Sequence, residues 1–204
     1  NQKIEPWMVF SSFIHPHPPF ALPKPWHKLY RTPEMPTPFL PENRADLQVC
    51  INRSQNRYKY RDRGLDLQLL RTIRAYYYAT ISFVDFQIGR VLSELEEAGA
   101  LDNTLVLFSS DHGELLGDYG CFGKRSMHDP SARVPLLARQ PGRFAAGARC
   151  ATAVSLVDIL PTALESAGVP WRDRGLDGVD LAEVAAGRVA ADRVVYSQHE
   201  AGPR

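Results

Sequence analysis

The sequence has little cysteine, and the three cysteines that it has lie far apart. Cys50, Cys121 and Cys150 form no CxxC pair, and their number is odd. A fold held together by disulfides, or a zinc site built from cysteines, needs paired or closely spaced cysteines. The sequence therefore argues against both classes, and it leaves the redox environment of the protein open.

An excess of charge of one sign is also lacking, because 24 lysines and arginines face 23 acids, for a formal net charge of +1. Nucleic acid and anionic membranes are not expected as partners, since both attract concentrated positive charge. No apolar run approaches the length of a membrane-spanning helix, and no signal peptide is visible. The chain begins at Asn1 rather than at a methionine, so we expect that its true start is missing.

Hydrophobic patterning predicts an α/β fold with one sizeable core, in keeping with 44% hydrophobic residues. Apolar residues spaced by threes and fours predict a long amphipathic helix from Leu69 to Leu95, capped by Gly99. A short turn leads into residues 104–109, whose compact β-rich composition predicts a buried strand of a parallel sheet. This order of elements predicts a mainly parallel sheet flanked by helices.

Two segments before the long helix are predicted to lack regular structure. The closely spaced prolines of residues 15–41 oppose both helix and central strand, so we expect a rigid loop there. The polar, aperiodic residues 52–64 are expected to continue this loop as an extended surface excursion. The remaining predicted elements are strands at residues 7–13, 134–138 and 193–197 and a helix at residues 155–168.

The strongest chemical signal is the run SSDHGELLGDYG at residues 109–120, directly after the predicted strand. Open α/β sheets bind ligands at the carboxyl ends of their strands. Asp111 and His112 offer an oxygen and a nitrogen side by side, and Gly113 lets the backbone turn sharply, which suits a divalent metal site. On these residues alone an alternative is equally open, in which Asp111 caps a helix and His112 is a surface residue.

A lysine in a glycine-rich loop is the second signal. Lys124 stands in the run CFGKRSMHD, and Gly120 and Gly123 make the loop compact enough to fold back over the end of the strand. Its ammonium group could neutralise a bound oxyanion. The alternative is an ordinary solvated lysine, which is the usual fate of that residue type.

Most of the chain resembles the sulfatase family of the alkaline phosphatase superfamily, from the central to the C-terminal part of its catalytic domain. The resemblance implies an alkaline phosphatase-like α/β fold that is incomplete here. The matching runs, in the family's order, are PHPPF (16–20), YYATISFVDFQIGRVLSELEEAGALDNTLVLF (77–108), SDHGELLGDYGCFGKRSMHDPSARVPLLARQPG (110–142) and VSLVDILPTALESAGVP (154–170).

The resemblance also implies roles for four residues. It makes Asp111 and His112 metal ligands, with calcium as the expected ion, and it makes Lys124 a contact of the substrate's sulfate group. His17, from the PHxP-type loop, is implied to contact the sulfate and to help the leaving group depart. The implied substrate is a sulfated small molecule or glycan, and the implied reaction is hydrolysis of its sulfate ester.

Further residues of these loops are weaker candidates. His15 could line the substrate pocket, because alternate residues of an extended loop point to the same side. Arg133 is expected to form a structural ion pair, while His128 and Asp129 could support Lys124 from nearby. Aromatic residues of the proline-rich segment could stack on a sugar or aryl group, although packing within the loop is the favoured interpretation; these are Phe20, Trp26 and Tyr30.

The sequence departs from the family at the nucleophile. Family members use a formylglycine made from a C/S-x-P-x-R motif and a pair of N-terminal aspartates that complete the metal site, and neither is present. Cys121 has Gly123 in place of the required proline, and Cys50 fails as well. Calcium typically takes about six to eight oxygen ligands, so Asp111 and His112 alone should hold it poorly.

We therefore predict that residues 1–204 are a partial sulfatase catalytic domain, which lacks the nucleophile segment and the C-terminal subdomain and has little activity by itself. Two alternatives stay open. One is a phosphonate or phosphate ester hydrolase, or a phosphoethanolamine transferase, of the same superfamily. The other is a nonenzymatic remnant of a sulfatase ancestor. The family resemblance slightly favours a periplasmic or secreted location.

Overall fold

The computed structural model describes residues 7–58 and 66–198, and these group into two compact units. The first unit comprises residues 7–10, 95–111 and 135–197. The second unit comprises residues 11–58, 66–94 and 112–134, together with residue 198.

The described residues form six α-helices, two strands and several single 3-10 turns. The helices are α1 (Arg44–Leu47), α2 (Cys50–Tyr58), α3 (Leu67–Glu97), α4 (Asp129–Ala132), α5 (Ile159–Ser166) and α6 (Leu181–Ala185). The strands are β1 (Val106–Ser109) and β2 (Leu136–Arg139). The 3-10 turns are Trp26–Lys28, Thr32–Glu34, Leu101–Asn103, Asp118–Gly120, Leu156–Asp158 and Arg172–Arg174.

The long predicted helix is confirmed as α3, which has 31 residues. Its first turn is capped by Asp66, whose Oδ1 accepts the N–H groups of Gln68 and Leu69 at 2.9 and 3.0 Å. At its other end Gly99 adopts a left-handed φ of 65°, as predicted for the cap. Although α3 is the longest helix of the described part of the chain, neither it nor the shorter ones combine the length and apolarity that a membrane crossing requires.

The buried face of α3 differs from the predicted apolar stripe. Leu69 and Ile81 of that stripe are largely exposed, whereas the small residues Ala75 and Ala79 are buried. Small side chains let neighbouring segments approach the helix closely, so close packing rather than side-chain size selects this face. Leu70, Arg74 and Thr80 complete the buried set.

The strand pair is antiparallel, which corrects the predicted parallel pairing. Val106 pairs with Arg139 and Ser109 with Leu136. The chain reverses direction between β1 and β2 without the crossover helix that a parallel pair would need. The predicted burial is also wrong, because Phe108 lies on an exposed position of β1.

Two predicted strands are absent from the described residues. Residues 7–13 and 193–197 are not assigned to any strand, and Phe10 and Tyr196 are 84% and 90% exposed. β-forming residues make a strand only where a partner strand supplies hydrogen bonds and packing, and the described part of the chain pairs neither segment. The predicted strand at residues 134–138 is confirmed as β2, displaced by about one or two residues, a usual uncertainty of element boundaries.

The predicted extended excursion is wrong at α2, while residues 59–65 lie outside the described residues. Asn52 on this helix is 1% exposed, and its Oδ1 accepts the N–H of Val49 at 3.3 Å. Asn56 donates to the carbonyl of Gly120 at 2.9 Å. Because α2 is held by amide side chains rather than by an apolar stripe, hydrophobic periodicity could not reveal it.

The helix predicted at residues 155–168 is confirmed as α5, preceded by a 3-10 turn. The fully buried Asp158 joins three segments of the first unit, because its carboxylate accepts the N–H groups of Ser155 and Val179 and binds the Arg193 guanidinium with two contacts of 2.8 Å. Burial alone would raise the pKa of Asp158, but the hydrogen bonds from Arg193, Val179 and Ser155 bring it below its ordinary value.

Candidate functional site

The loop of residues 112–134 begins with a close approach of two backbone segments. The N–H of Gly113 donates to the carbonyl of Ser131 at 2.7 Å, and the N–H of Glu114 donates to that of Pro130 at 2.9 Å. A Cβ atom at Gly113 would lie 2.0 Å from the Pro130 oxygen. Only glycine fits this position without a shift of the backbone, and the contact fixes the residue that follows His112.

His112 and Lys124 are brought together by this loop. The Nδ1 atom of His112 lies 2.8 Å from the carbonyl oxygen of Gly113, and its Nε2 atom lies 2.6 Å from the Nζ atom of Lys124. A carbonyl only accepts hydrogen bonds, so Nδ1 carries the proton and the Nε2 lone pair accepts from the ammonium group. In this arrangement Lys124 occupies the Nε2 lone pair, so a metal ion would bind this nitrogen only after the ammonium group had moved away.

The backbone around Lys124 is held on both sides. The N–H of Gly123 donates to the Glu114 carboxylate at 2.5 Å, and the hydroxyl of Ser131 donates to the carbonyl of Lys124 at 2.5 Å. The N–H of Leu115 donates to the carbonyl of Gly123 at 2.9 Å. The position of the lysine is therefore set by its neighbours before its own side chain makes a contact.

A buried arginine ties the same loop to α3. Arg74 is 9% exposed, forms an ion pair with Asp118 and donates to the carbonyl of Leu116 at 3.2 Å. Asp118 also accepts the N–H of Phe39 at 2.8 Å. A buried charge needs a partner and further hydrogen bonds, and both are present here. The helix, the loop and the proline-rich segment thus share one polar junction.

The comparisons with known proteins give this arrangement a family. The sequence model of the sulfatase family matches residues 1–169. The chain belongs to the sulfatase family. It is 31% identical to an arylsulfatase of Clostridium perfringens over 97% of this chain and 41% of that protein, and 34% identical to a choline-sulfatase of Rhizobium meliloti over 92% and 37%.

The fold is similar to that of a solved phosphonate monoester hydrolase from Silicibacter pomeroyi, with a TM-score of 0.77 and 30% identity over 89% of this chain and 38% of that one. The predicted alkaline phosphatase-like fold is therefore confirmed in part, since the neighbours have that fold while the described residues form helices and one two-stranded sheet. The chain spans about two fifths of the length of these relatives.

The described residues offer two candidate donors for a divalent cation. One is Nε2 of His112, which Lys124 contacts in the structure, and the other is the carboxylate of Asp111, an exposed residue that precedes it in sequence. The residues that the structure describes contain no group of three or more histidines, cysteines, aspartates and glutamates able to hold a metal ion. The donor set fits a divalent cation in kind, with one hard oxygen and one imidazole, but not in number.

The two histidines of the proline-rich segment differ in their surroundings. His17 is exposed, and its Nδ1 lies 2.8 Å from the carbonyl of Pro18, so Nδ1 is the ring nitrogen engaged by the backbone. The ring of His15 meets Phe83 edge to face, with 6.4 Å between centroids. Its Nδ1 is buried and has no hydrogen-bond partner in the described part of the chain.

The aromatic residues of that segment pack on α3, which confirms the interpretation as loop packing. Trp26 lies 5.6 Å from Phe83 and 5.4 Å from Phe86, between ring centroids. Tyr30 meets Tyr78 edge to face at 5.7 Å. These contacts give both residues a packing role against α3.

Tyr77 of α3 lies between the two loops. Its ring meets Phe20 edge to face at 5.4 Å, and its pKa is raised by burial and by the negative charge of Glu114. α3 thus supports both the proline-rich segment, residues 15–41, and the loop of residues 112–134, which we call the lysine loop.

The weaker candidates have local contacts. His128 lies 2.9 Å from the Ser126 hydroxyl and stacks on Tyr119 at 4.3 Å. Arg133 pairs with Asp129 at 3.6 Å, both exposed, as expected for a structural ion pair. The sequence reasoning missed the residues that hold the lysine loop; these are Arg74, Glu114, Asp118 and Ser131.

Proposed function

We propose that the intact protein containing this chain hydrolyses sulfate esters, and that this chain supplies its oxyanion-binding lysine and part of its metal site. The observation that supports the proposal is the contact between the Lys124 ammonium and the His112 imidazole, in a loop that fixes both. Groups that are held in place before the reaction stabilise developing charge without reorganising.

In this proposal Lys124 donates to the oxygens of the sulfate group, and its loop keeps it oriented while charge shifts onto the leaving oxygen. Asp111 and His112 act as ligands of a divalent cation, with calcium expected, which when bound would supply Lewis-acid stabilisation and orient the sulfate. His17 lies near the departing alcohol and, as the imidazolium with both ring nitrogens protonated, gives it the proton of Nε2, while Nδ1 keeps its proton on the Pro18 carbonyl. His15 lines the substrate pocket. The substrate class is a sulfated small molecule or glycan.

The nucleophile lies outside this chain in the proposal. Residues 1–204 then form a partial catalytic domain. An N-terminal segment that carries the formylglycine and a pair of metal-binding aspartates would complete it, together with a C-terminal subdomain. We expect this chain alone to show little or no turnover. A periplasmic or secreted location is part of the same proposal.

A phosphonate or phosphate ester hydrolase is the second candidate, because the fold is shared with a phosphonate monoester hydrolase. Sulfate and phosphonate esters both present tetrahedral anions, so Lys124 and His112 could serve either. A nonenzymatic remnant is the third candidate, and a gene that encodes no formylglycine motif upstream of this chain would favour it.

The test is a comparison of aryl sulfate and aryl phosphonate hydrolysis by the protein expressed from its complete gene. We expect sulfate hydrolysis to be faster, and Lys124→Ala to lower kcat by about 10²–10³-fold, as the loss of one oxyanion donor does elsewhere. Lys28→Ala is the matched control, since Lys28 is an exposed lysine of the same unit. Faster phosphonate hydrolysis, or an unchanged rate with Lys124→Ala, would contradict the proposal.

A further inference from the structure

Glu114 directly follows Gly113, where an additional metal-binding acid could be expected. Its carboxylate instead binds backbone amides, because Oε1 accepts the N–H of Gly123 at 2.5 Å and that of Leu116 at 3.3 Å. We propose that Glu114 is a positioning residue that sets the place of the Lys124 ammonium by holding the amide of Gly123. This inference rests on the proposed role of Lys124 as the oxyanion-binding group.

The backbone next to Lys124 leaves little freedom once this contact is made. Gly123 adopts a φ of 79°, a left-handed conformation that favours glycine. Its N–H is held by Glu114, its carbonyl by Leu115, and the carbonyl of Lys124 by Ser131. Only the lysine side chain is left to orient, and the contact with His112 does so.

The charge of Glu114 suits this task. A hydrogen bond from an amide to a carboxylate is roughly twice as strong as one to a neutral acceptor. The loop that it closes contains Leu116 and Tyr119 at positive φ values of 47° and 57°. Such conformations are unfavourable for residues other than glycine, so they persist only where the surrounding contacts are strong.

A second carboxylate of the loop also accepts a backbone N–H group. Asp118 accepts the N–H of Phe39 and pairs with Arg74. Two acids of this loop thus bind backbone amides or an arginine. Asp118 connects the loop to α3, and Glu114 closes the turn that carries Lys124. Glu114 is the one whose bonded amide directly precedes the lysine, which makes it the residue to test.

The experiment is NMR spectroscopy of the ¹⁵N-labelled 204-residue chain, read at the Gly123 amide and at Nε2 of His112. We expect Glu114→Ala to move the Gly123 amide proton upfield and to shift the His112 Nε2 signal, because the lysine no longer lies against it. Glu114→Gln keeps an acceptor oxygen, so we expect a smaller upfield shift at Gly123 and an unchanged His112 signal. Glu94→Ala, at an exposed glutamate of α3, is the control and should move neither.

The inference is overturned if Glu114→Ala folds and leaves the His112 signal in place, whether or not the Gly123 amide moves. Should Glu114→Ala fail to fold, Glu114→Gln decides: an unmoved Gly123 amide overturns the inference, and an upfield shift with the His112 signal kept supports it. Neither readout depends on turnover. A complete protein without sulfatase activity would therefore remove the proposed function while leaving the positioning of Lys124 by Glu114 intact.

Discussion

The lysine loop, residues 112–134, and the proline-rich segment, residues 15–41, are both supported by α3, but by different kinds of contact. The loop is held by short hydrogen bonds from amides and an arginine, such as those to Glu114 and Asp118. The segment is held by edge-to-face aromatic pairs such as Tyr30 with Tyr78. Hydrogen bonds have strict geometry and aromatic packing tolerates small shifts. The lysine loop should therefore be the more sensitive of the two to single changes.

The largest effect is expected at the junction of the lysine loop with α3. Arg74→Met leaves Asp118 partly buried without its cation, and we expect the free energy of unfolding to fall by about 3 kcal/mol, as when one partner of a buried pair is removed. Urea unfolding followed by tryptophan fluorescence measures it. Arg133→Met removes an exposed ion pair and should change the unfolding free energy by less than about 1 kcal/mol. Equal losses of unfolding free energy for the two variants would contradict the expected difference between the buried and the exposed ion pair.

A smaller loss of stability is expected where the two ends of the lysine loop approach each other closely. Gly113→Ala places a methyl group against the Pro130 carbonyl, and we expect a loss of about 2 kcal/mol, typical of overpacking. Gly89→Ala is the matched control, because a Cβ there meets nothing within 4 Å and the site is helical. It should stabilise the chain by roughly 0.5–1 kcal/mol. A tolerated Gly113→Ala would show that the loop adapts after all.

The smallest effect is expected in the proline-rich segment. Tyr30→Phe removes the hydroxyl that lies 2.8 Å from that of Ser82 but keeps the aromatic pair with Tyr78, so we expect a loss of about 1 kcal/mol. Thermal unfolding of the variant beside Tyr196→Phe, at an exposed tyrosine, measures it. A loss as large as that of Arg74→Met would mean that the hydroxyl, not the ring, fixes the segment.

The sequence predicted those elements whose stabilising residues are local. The helix α3 followed from apolar spacing and from the glycine at residue 99, and α5 followed from Ser155 and Asp158, which lie within one turn of each other. The lysine loop was predicted as a compact turn from its glycines.

The rest depended on partners distant in the chain. Nothing in the sequence shows that Asn56 binds a carbonyl 64 residues away or that Arg74 binds Asp118 44 residues away. The direction of β1 was equally hidden, because strand composition does not specify which neighbour a strand pairs with. Their positions within residues 109–120 likewise do not show whether Glu114 and Asp118 bind a metal or the backbone, because their partners lie elsewhere in the chain.

Asp158 has a consequence for how far the chain can be shortened. Its buried carboxylate forms an ion pair with the guanidinium of Arg193, which follows α6 in the chain. Removing the residues after α6 would delete no helix or strand of the described residues. It would, however, leave the buried Asp158 at the start of α5 without its cation. A truncation placed at the end of α6 would therefore remove the partner of a buried carboxylate, although it removes no regular element of the described residues.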